Sequence, residues 1–233
     1  MLTLAAIVLA PALLPSTMGA PRDVVWHSQR KGKWEASAKL IDLSAGGAIS
    51  KFAGAAVSKA ERKLYDEFVG EASRYFAAPD ADAPAPWTYE MASTATRRHD
   101  KVVSVLVETY SYLGGAHGIG VKRTYNFGFV AGKPKRLSLA DCLVGSSSMR
   151  ELRLRLLEKA MNTPGTDWIE EGEVRDFTKE QLDRFWIGKD GLTFEFNPYE
   201  LGSYASGPFS FKFSWSELKG LVRSDGPLGA IAR

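Results

Sequence analysis

Cysteine is nearly missing from this 233-residue chain, where Cys142 stands alone. A single thiol allows no intrachain disulfide and no cysteine-based metal knot, so the apolar core must hold the chain together. Histidine is scarce too. His27, His99 and His117 show neither His-x-Glu nor His-Glu-x-x-His spacing, so no zinc site is expected. No apolar run reaches the roughly 20 residues of a spanning helix. Nor does one sign of charge dominate, since 30 basic against 27 acidic residues leave +3. The basic clusters at Arg30 to Lys33, Arg97-Arg98 and Lys133 to Arg136 are short and scattered, which suits a solvated surface and argues against nucleic acid.

Two common chemistries are missing as well. No Gly-x-Ser-x-Gly elbow occurs, which removes the usual serine hydrolase architecture. Gly115-Ala-His-Gly118-Ile-Gly120 has the wrong spacing for a dinucleotide fingerprint, and a strand pattern follows it where a phosphate would need a helix N-terminus. No cofactor is expected. What is present is ordinary globular composition, 45% hydrophobic and 11% aromatic, with enough apolar surface to offset chain entropy.

Residues 1–21 carry no charge, and Leu2 to Leu14 is an apolar stretch followed by small residues up to Ala20. This reads as a signal peptide over 1–20, although a basic n-region is lacking and Pro21 follows the expected cleavage site. The mature protein is expected to be periplasmic or secreted, and monomeric.

Beyond the leader, alternation from Trp34 to Asp42 predicts a strand. Ser58-Lys-Ala-Glu61 has the spacing of a capping box, heading an amphipathic helix over about 59–76. A Pro/Ala/Asp loop at 77–86 leads into strand pattern at Trp87. Lys101 to Leu113, apolar on both faces early, predicts a central strand that forms a long hairpin with Val121 to Val130. Ser148-Met-Arg-Glu151 suggests a second capping box and a helix ending near Asn162, and Thr178 caps a short helix to Asp183. Phe185–Ile187, Leu192–Phe196 and the aromatic run from Phe209 to Trp215 complete a strand-rich last third. The class expected is α+β, with an antiparallel sheet of consecutive hairpins, two longer helices and no βαβ unit.

Two loop clusters carry the remaining chemistry. The first, Tyr110 to Gly118, lets a glycine-punctuated backbone present His117. The second, Asn197 to Gly207, combines a proline turn with Tyr199, Glu200 and Tyr204. Both are irregular stretches beside aromatic strands, so they should meet at one end of the sheet. Tyr112, His117, Tyr199, Glu200 and Tyr204 would then form a mixed aromatic and polar binding surface. Alternatively, His117 and Glu200 only hold their own loops.

The run Tyr112 to Gly118, with Tyr125-Asn126, Leu137 to Asp141, Phe194 to Glu200 and Tyr204 to Gly207, resembles the extracellular domain of RsiV-type anti-sigma factors. Residues 21–100 are similar to the companion domain of PdaC-like deacetylases, and 101–233 to the RsiV-type domain, the two packed as one unit. The resemblance implies an envelope-facing binding module whose partner is a lysozyme-type glycosidase or cell-wall glycan. The anti-sigma and deacetylase roles are not carried over. A net positive chain is a poor electrostatic match for strongly basic lysozymes. The competing reading is a wall-polymer hydrolase with His117 as base, oriented by Glu200.

Overall fold

The computed structural model describes residues 23–81 and 83–232, and residues 1–20, expected from the sequence to be a signal peptide, lie outside them. Six strands, β1 (Asp23–Arg30), β2 (Trp34–Ile41), β3 (Trp87–His99), β4 (Val102–Tyr112), β5 (Ile119–Val130) and β6 (Lys133–Arg136), lie side by side in chain order. All neighbours are antiparallel except β2 and β3, which run parallel with Trp34 opposite Trp87. The helix α1 (Ala48–Tyr75) spans that crossover. A βαβ unit is therefore present where hairpins alone were expected, because a parallel pair needs a long crossover and the segment between β2 and β3 supplies a helix. The α+β class stands.

Helix α1 buries Ile49, Ala53, Val57, Glu61, Tyr65, Phe68 and Ala72, a stripe at spacings of three and four that lies along the sheet. It begins eleven residues before the expected start at 59, since Ile49, Ala53 and Val57 extend the same stripe backwards. Ser58 and Glu61 are thus mid-helix, and Gly47 occupies the N-cap. The second expected capping box fails in the same way: α3 (Ser146–Met161) starts after Gly145 and buries Ser148. Real capping boxes sit at Ser138/Asp141, on α2 (Leu139–Cys142), and at Thr178/Gln181, on α5 (Lys179–Asp183).

One face of the sheet meets α1 through Ala36, Ala38, Leu40, Tyr89, Met91, Val103, Val105 and Val107, all buried. The second core lies under a three-stranded antiparallel sheet, β7 (Phe185–Ile187), β8 (Gly191–Phe196) and β9 (Phe209–Ser214). Helix α3 packs on it with Leu152, Leu156 and Ala160. Cys142 is buried there, and that burial pushes its thiol pKa up, as befits a small hydrophobe. A single turn of α4 (Asp167–Glu170) completes the helices.

Polar side chains join the two sheets. Ser104 on β4 donates to Asn126 Oδ1 at 2.7 Å and accepts the Ile187 N–H at 2.9 Å, while Asn126 Nδ2 donates to the Phe185 carbonyl at 2.6 Å. Ser104 and Asn126 are buried at 0% and 1% exposure, so this connection is fully dry and costly to break. Further along β5, Asn197 accepts from the Lys122 N–H at 2.8 Å and donates to the Lys122 carbonyl, pairing like a strand residue.

Candidate functional site

Strand β7 covers the part of the outer sheet face that carries Ser104 and Asn126. Towards the β4–β5 turn that face is open, and it forms one side of a groove of about 680 Å³. Alternation along the strands decides what lies there. With Tyr89 and Met91 turned to α1, Glu90 and Ala92 face outward; with Val107 and Thr109 turned inward, Glu108 and Tyr110 face outward. Register places Tyr110 opposite Glu90 and Gly120, and Glu108 opposite Ala92 and Lys122. The facing wall is the Asn197–Pro208 loop, through Pro198, Tyr204, Gly207 and Pro208.

The two loop clusters meet at this wall, as their positions beside aromatic strands predict. The His117 and Tyr204 rings stack with centroids 3.7 Å apart and planes 18° from parallel. The Tyr204 hydroxyl donates to the Gly118 carbonyl at 2.8 Å, and His117 Nδ1 lies 3.0 Å from the same oxygen. Tyr199 adds a third ring, 5.7 Å from Tyr204, and is exposed. Its φ of +67° is a left-handed conformation that costs a bulky residue on the order of 1–2 kcal/mol. Tyr112 ends β4 opposite Thr88, half-buried, and is not among the groove-lining residues.

Glu200 turns to its own loop. Its Oε2 accepts the Asn197 N–H at 2.7 Å and Arg184 Nη1 at 2.5 Å, closing the Asn197–Glu200 turn. No hydrogen bond joins it to His117.

Glu90, Glu108 and Lys122 line the groove without a part in either loop cluster, and Tyr110, which opens the first cluster, lines it although it is not among the expected binding residues. The signal was the outward half of the alternation in Thr88-Tyr89-Glu90-Met91-Ala92, which places Glu90 opposite the buried face. Gly118 belongs with them, because a Cβ there would lie 2.2 Å from Tyr110 Oη, so only glycine lets that ring lie against the loop.

Charge around the groove is uneven. Lys122 Nζ reaches Glu195 Oε2 at 3.0 Å. Glu195 is 2% exposed and also accepts from Trp186 Nε1 at 2.7 Å and the Ser210 hydroxyl at 2.5 Å. Glu90 and Glu108 are exposed and make no ion pair with any described residue. Behind the sheet, buried Glu61 holds Arg123 (Nη2 at 2.6 Å) and the Tyr125 hydroxyl (2.6 Å). Burial, reinforced by the Glu61 charge, pushes the Tyr125 phenol pKa up, so it stays a neutral donor. Among the described residues no group of His, Cys, Asp and Glu is placed to hold a metal ion.

The arrangement defines an α+β module with a tyrosine-walled, carboxylate-floored groove on an open sheet face. Residues 43–120 match the family model described as deacetylase PdaC, and residues 146–216 the model described as a protein of unknown function, DUF3298. The chain is 29% identical over 128 residues to the peptidoglycan-N-acetylmuramic acid deacetylase PdaC of Bacillus subtilis. That match covers 53% of this chain and 27% of the relative, so the chain spans only about a quarter of that protein's length. Two solved structures share the fold. A DUF3298-family protein of Bacteroides fragilis has a TM-score of 0.59 at 16% identity, covering 92% of this chain and 96% of its own. A Pseudomonas aeruginosa DUF3298-family protein has a TM-score of 0.52 at 16% identity, covering 88% and 95%.

Proposed function

We propose that this protein is an envelope-facing, non-enzymatic module of the RsiV-like kind that binds a cell-wall saccharide in the groove. The observation that carries the reading is the groove itself. Its size falls in the ~300–1,000 Å³ range of ligand sites, and its lining combines tyrosines with carboxylates. Sugars present apolar C–H faces and a rim of hydroxyls, which stack on aromatic rings and donate to carboxylates. Rigid tyrosines supply contact area at low entropic cost. The similarity to a peptidoglycan deacetylase supports the same class of polymer, and the family model described as deacetylase PdaC spans β3 and β4. A binding role is further supported by the commitment of Glu200 to Arg184, which leaves His117 without that carboxylate as an orienting partner.

Retention of the mature protein on purified peptidoglycan sacculi tests the reading, with a lysozyme panel as the second arm. Sacculus retention that Tyr110→Ala and Tyr204→Ala together abolish is the expected result. Binding to a lysozyme alone would move the ligand to the glycosidase class. Silence in both arms would overturn the proposal. N-terminal sequencing of protein exported by its native host tests the envelope location, and an intact Met1 in the cytoplasm would contradict it.

A further inference from the structure

The groove has an electrostatic character opposite to that of the chain. The whole sequence carries a formal +3, yet the outer face beside the β4–β5 turn holds two carboxylates, Glu90 and Glu108, that no described cation neutralises. They sit diagonally on adjacent strands, because Glu90 is opposite Tyr110 and Glu108 opposite Ala92. That spacing is about 7–8 Å between backbones, with the small Ala92 leaving the floor clear between them. The nearby cations are already engaged. Lys122, opposite Glu108, is held by the buried Glu195. Lys39, opposite Ala92 on the β2 side, pairs with Asp23 at 3.0 Å. Further out, His27 pairs with Glu35. Tyr110 and Tyr204, which line the groove, add aromatic rings beside the carboxylates.

We infer that the groove selects an amino sugar with a free, protonated amine, one that lacks its N-acetyl group, with the ammonium held between Glu90 and Glu108. The inference rests on the saccharide reading above and narrows its ligand. A neutral N-acetylated sugar would cover the two carboxylates without pairing them, and an anionic wall polymer would be repelled by them. Both omissions are costly, because discrimination comes largely from charges left unpaired by the wrong ligand.

Calorimetric titration of the mature protein decides it, using glucosamine oligosaccharides, N-acetylglucosamine oligosaccharides of the same length and an oligolysine of equal charge. The pH is set so that the sugar amines are protonated. The free-amine sugar should bind roughly tenfold or more tightly than its acetylated counterpart, the weight of one charge-assisted hydrogen bond. Glu90→Gln with Glu108→Gln should erase that preference while leaving the melting midpoint in place, since both side chains are exposed. Equal affinity for the two sugars would overturn the inference, as would a preference that survives in the double variant. Oligolysine binding as well as the amino sugar would overturn it too, reducing the groove to a generic cation patch. If neither sugar binds while sacculi are still retained, the amine inference fails and the wall-binding reading stands. If sacculi also pass through, both fail.

Discussion

His117 lies flat on Tyr204, ring on ring at 3.7 Å, and both side chains meet the carbonyl oxygen of Gly118. Tyr204 and Gly118, 86 positions apart, are thus tied, which fixes the wall of the groove against its floor. The contact has two separable parts, a stacked pair and a hydrogen bond. Tyr204→Phe removes the bond alone and should cost about 0.5–1.5 kcal/mol. Tyr204→Ala removes both from a half-buried position and should cost about 2 kcal/mol, between an exposed residue and a core aromatic. His117→Ala should cost about 1 kcal/mol. Thermal melts of the three variants check the order. A loss above about 3 kcal/mol for Tyr204→Ala would make the ring a core residue and remove it from the binding wall.

Glu61 shows why part of the fold was hidden in the sequence. Three residues after a serine, a glutamate ahead of an apolar run reads as a helix cap, but this carboxylate crosses to the sheet and holds Arg123 and Tyr125. Removing one partner strands a charge in a dry site, so Glu61→Ala and Arg123→Ala should each cost about 3–5 kcal/mol, and the pair together less than their sum. Ser58→Ala should be neutral, where a capping role would have cost about 1 kcal/mol. Urea denaturation at neutral pH measures all four. A near-neutral Glu61→Ala would contradict the network.

Local sequence pattern carried β2 and β9 through clean alternation and β4 and β8 through short apolar runs covered on both faces, and it placed the two loop clusters at a common end. It did not mark β1, whose Val24, Trp26 and Ser28 are only partly buried, nor the first turns of α1, where alanine, glycine and serine dilute the stripe. The parallel pairing of β2 with β3 is a long-range choice with no local signature. The groove floor was hidden for a related reason. Glu90 and Glu108 read singly as solvated charges, and only the register of β3 against β4 brings them together. Several residues that carried the family resemblance have structural tasks: Asn126 and Asn197 join the two sheets, Asp141 caps α2 and Glu200 closes its turn.

Acid should weaken the tie that Glu217 makes between the end of β9 and α3. Glu217 accepts the Ser214 N–H at 2.7 Å, pairs with Lys159 at 2.9 Å and accepts the Ser214 hydroxyl at 2.7 Å. These contacts, the backbone bond foremost, lower its pKa from 4.5 to about 2. A carboxylate whose pKa falls on folding contributes stability that is fully present above pH 4.5 and is lost as pH falls towards 2. Because the side chain is 42% exposed, screening limits the effect to about 1 kcal/mol or less. Glu217→Gln should therefore lower stability at neutral pH slightly and flatten its decline across that acid window. Denaturation midpoints at a series of pH values check this, and a variant as acid-sensitive as the parent would assign the decline to other groups.

Two glycines separate a contact that shapes the groove from one that holds the fold. At Gly191 an added Cβ would lie 1.8 Å from the Phe213 carbonyl oxygen, inside the β8–β9 ladder, with φ at +157°. Nothing there can move without opening the ladder, so Gly191→Ala should cost more than about 3 kcal/mol. At Gly118 the clash is with the end of the Tyr110 side chain, and the backbone is outside the positive-φ region. Tyr110 is 45% exposed and free to swing outward, so Gly118→Ala should cost about 1 kcal/mol or less. The displaced ring would change the aromatic surface that the groove offers, and binding to sacculi should fall although the protein stays folded. Parallel melts and retention assays on the two variants test the distinction. Undiminished retention by Gly118→Ala would show that the position of Tyr110 does not matter to the ligand.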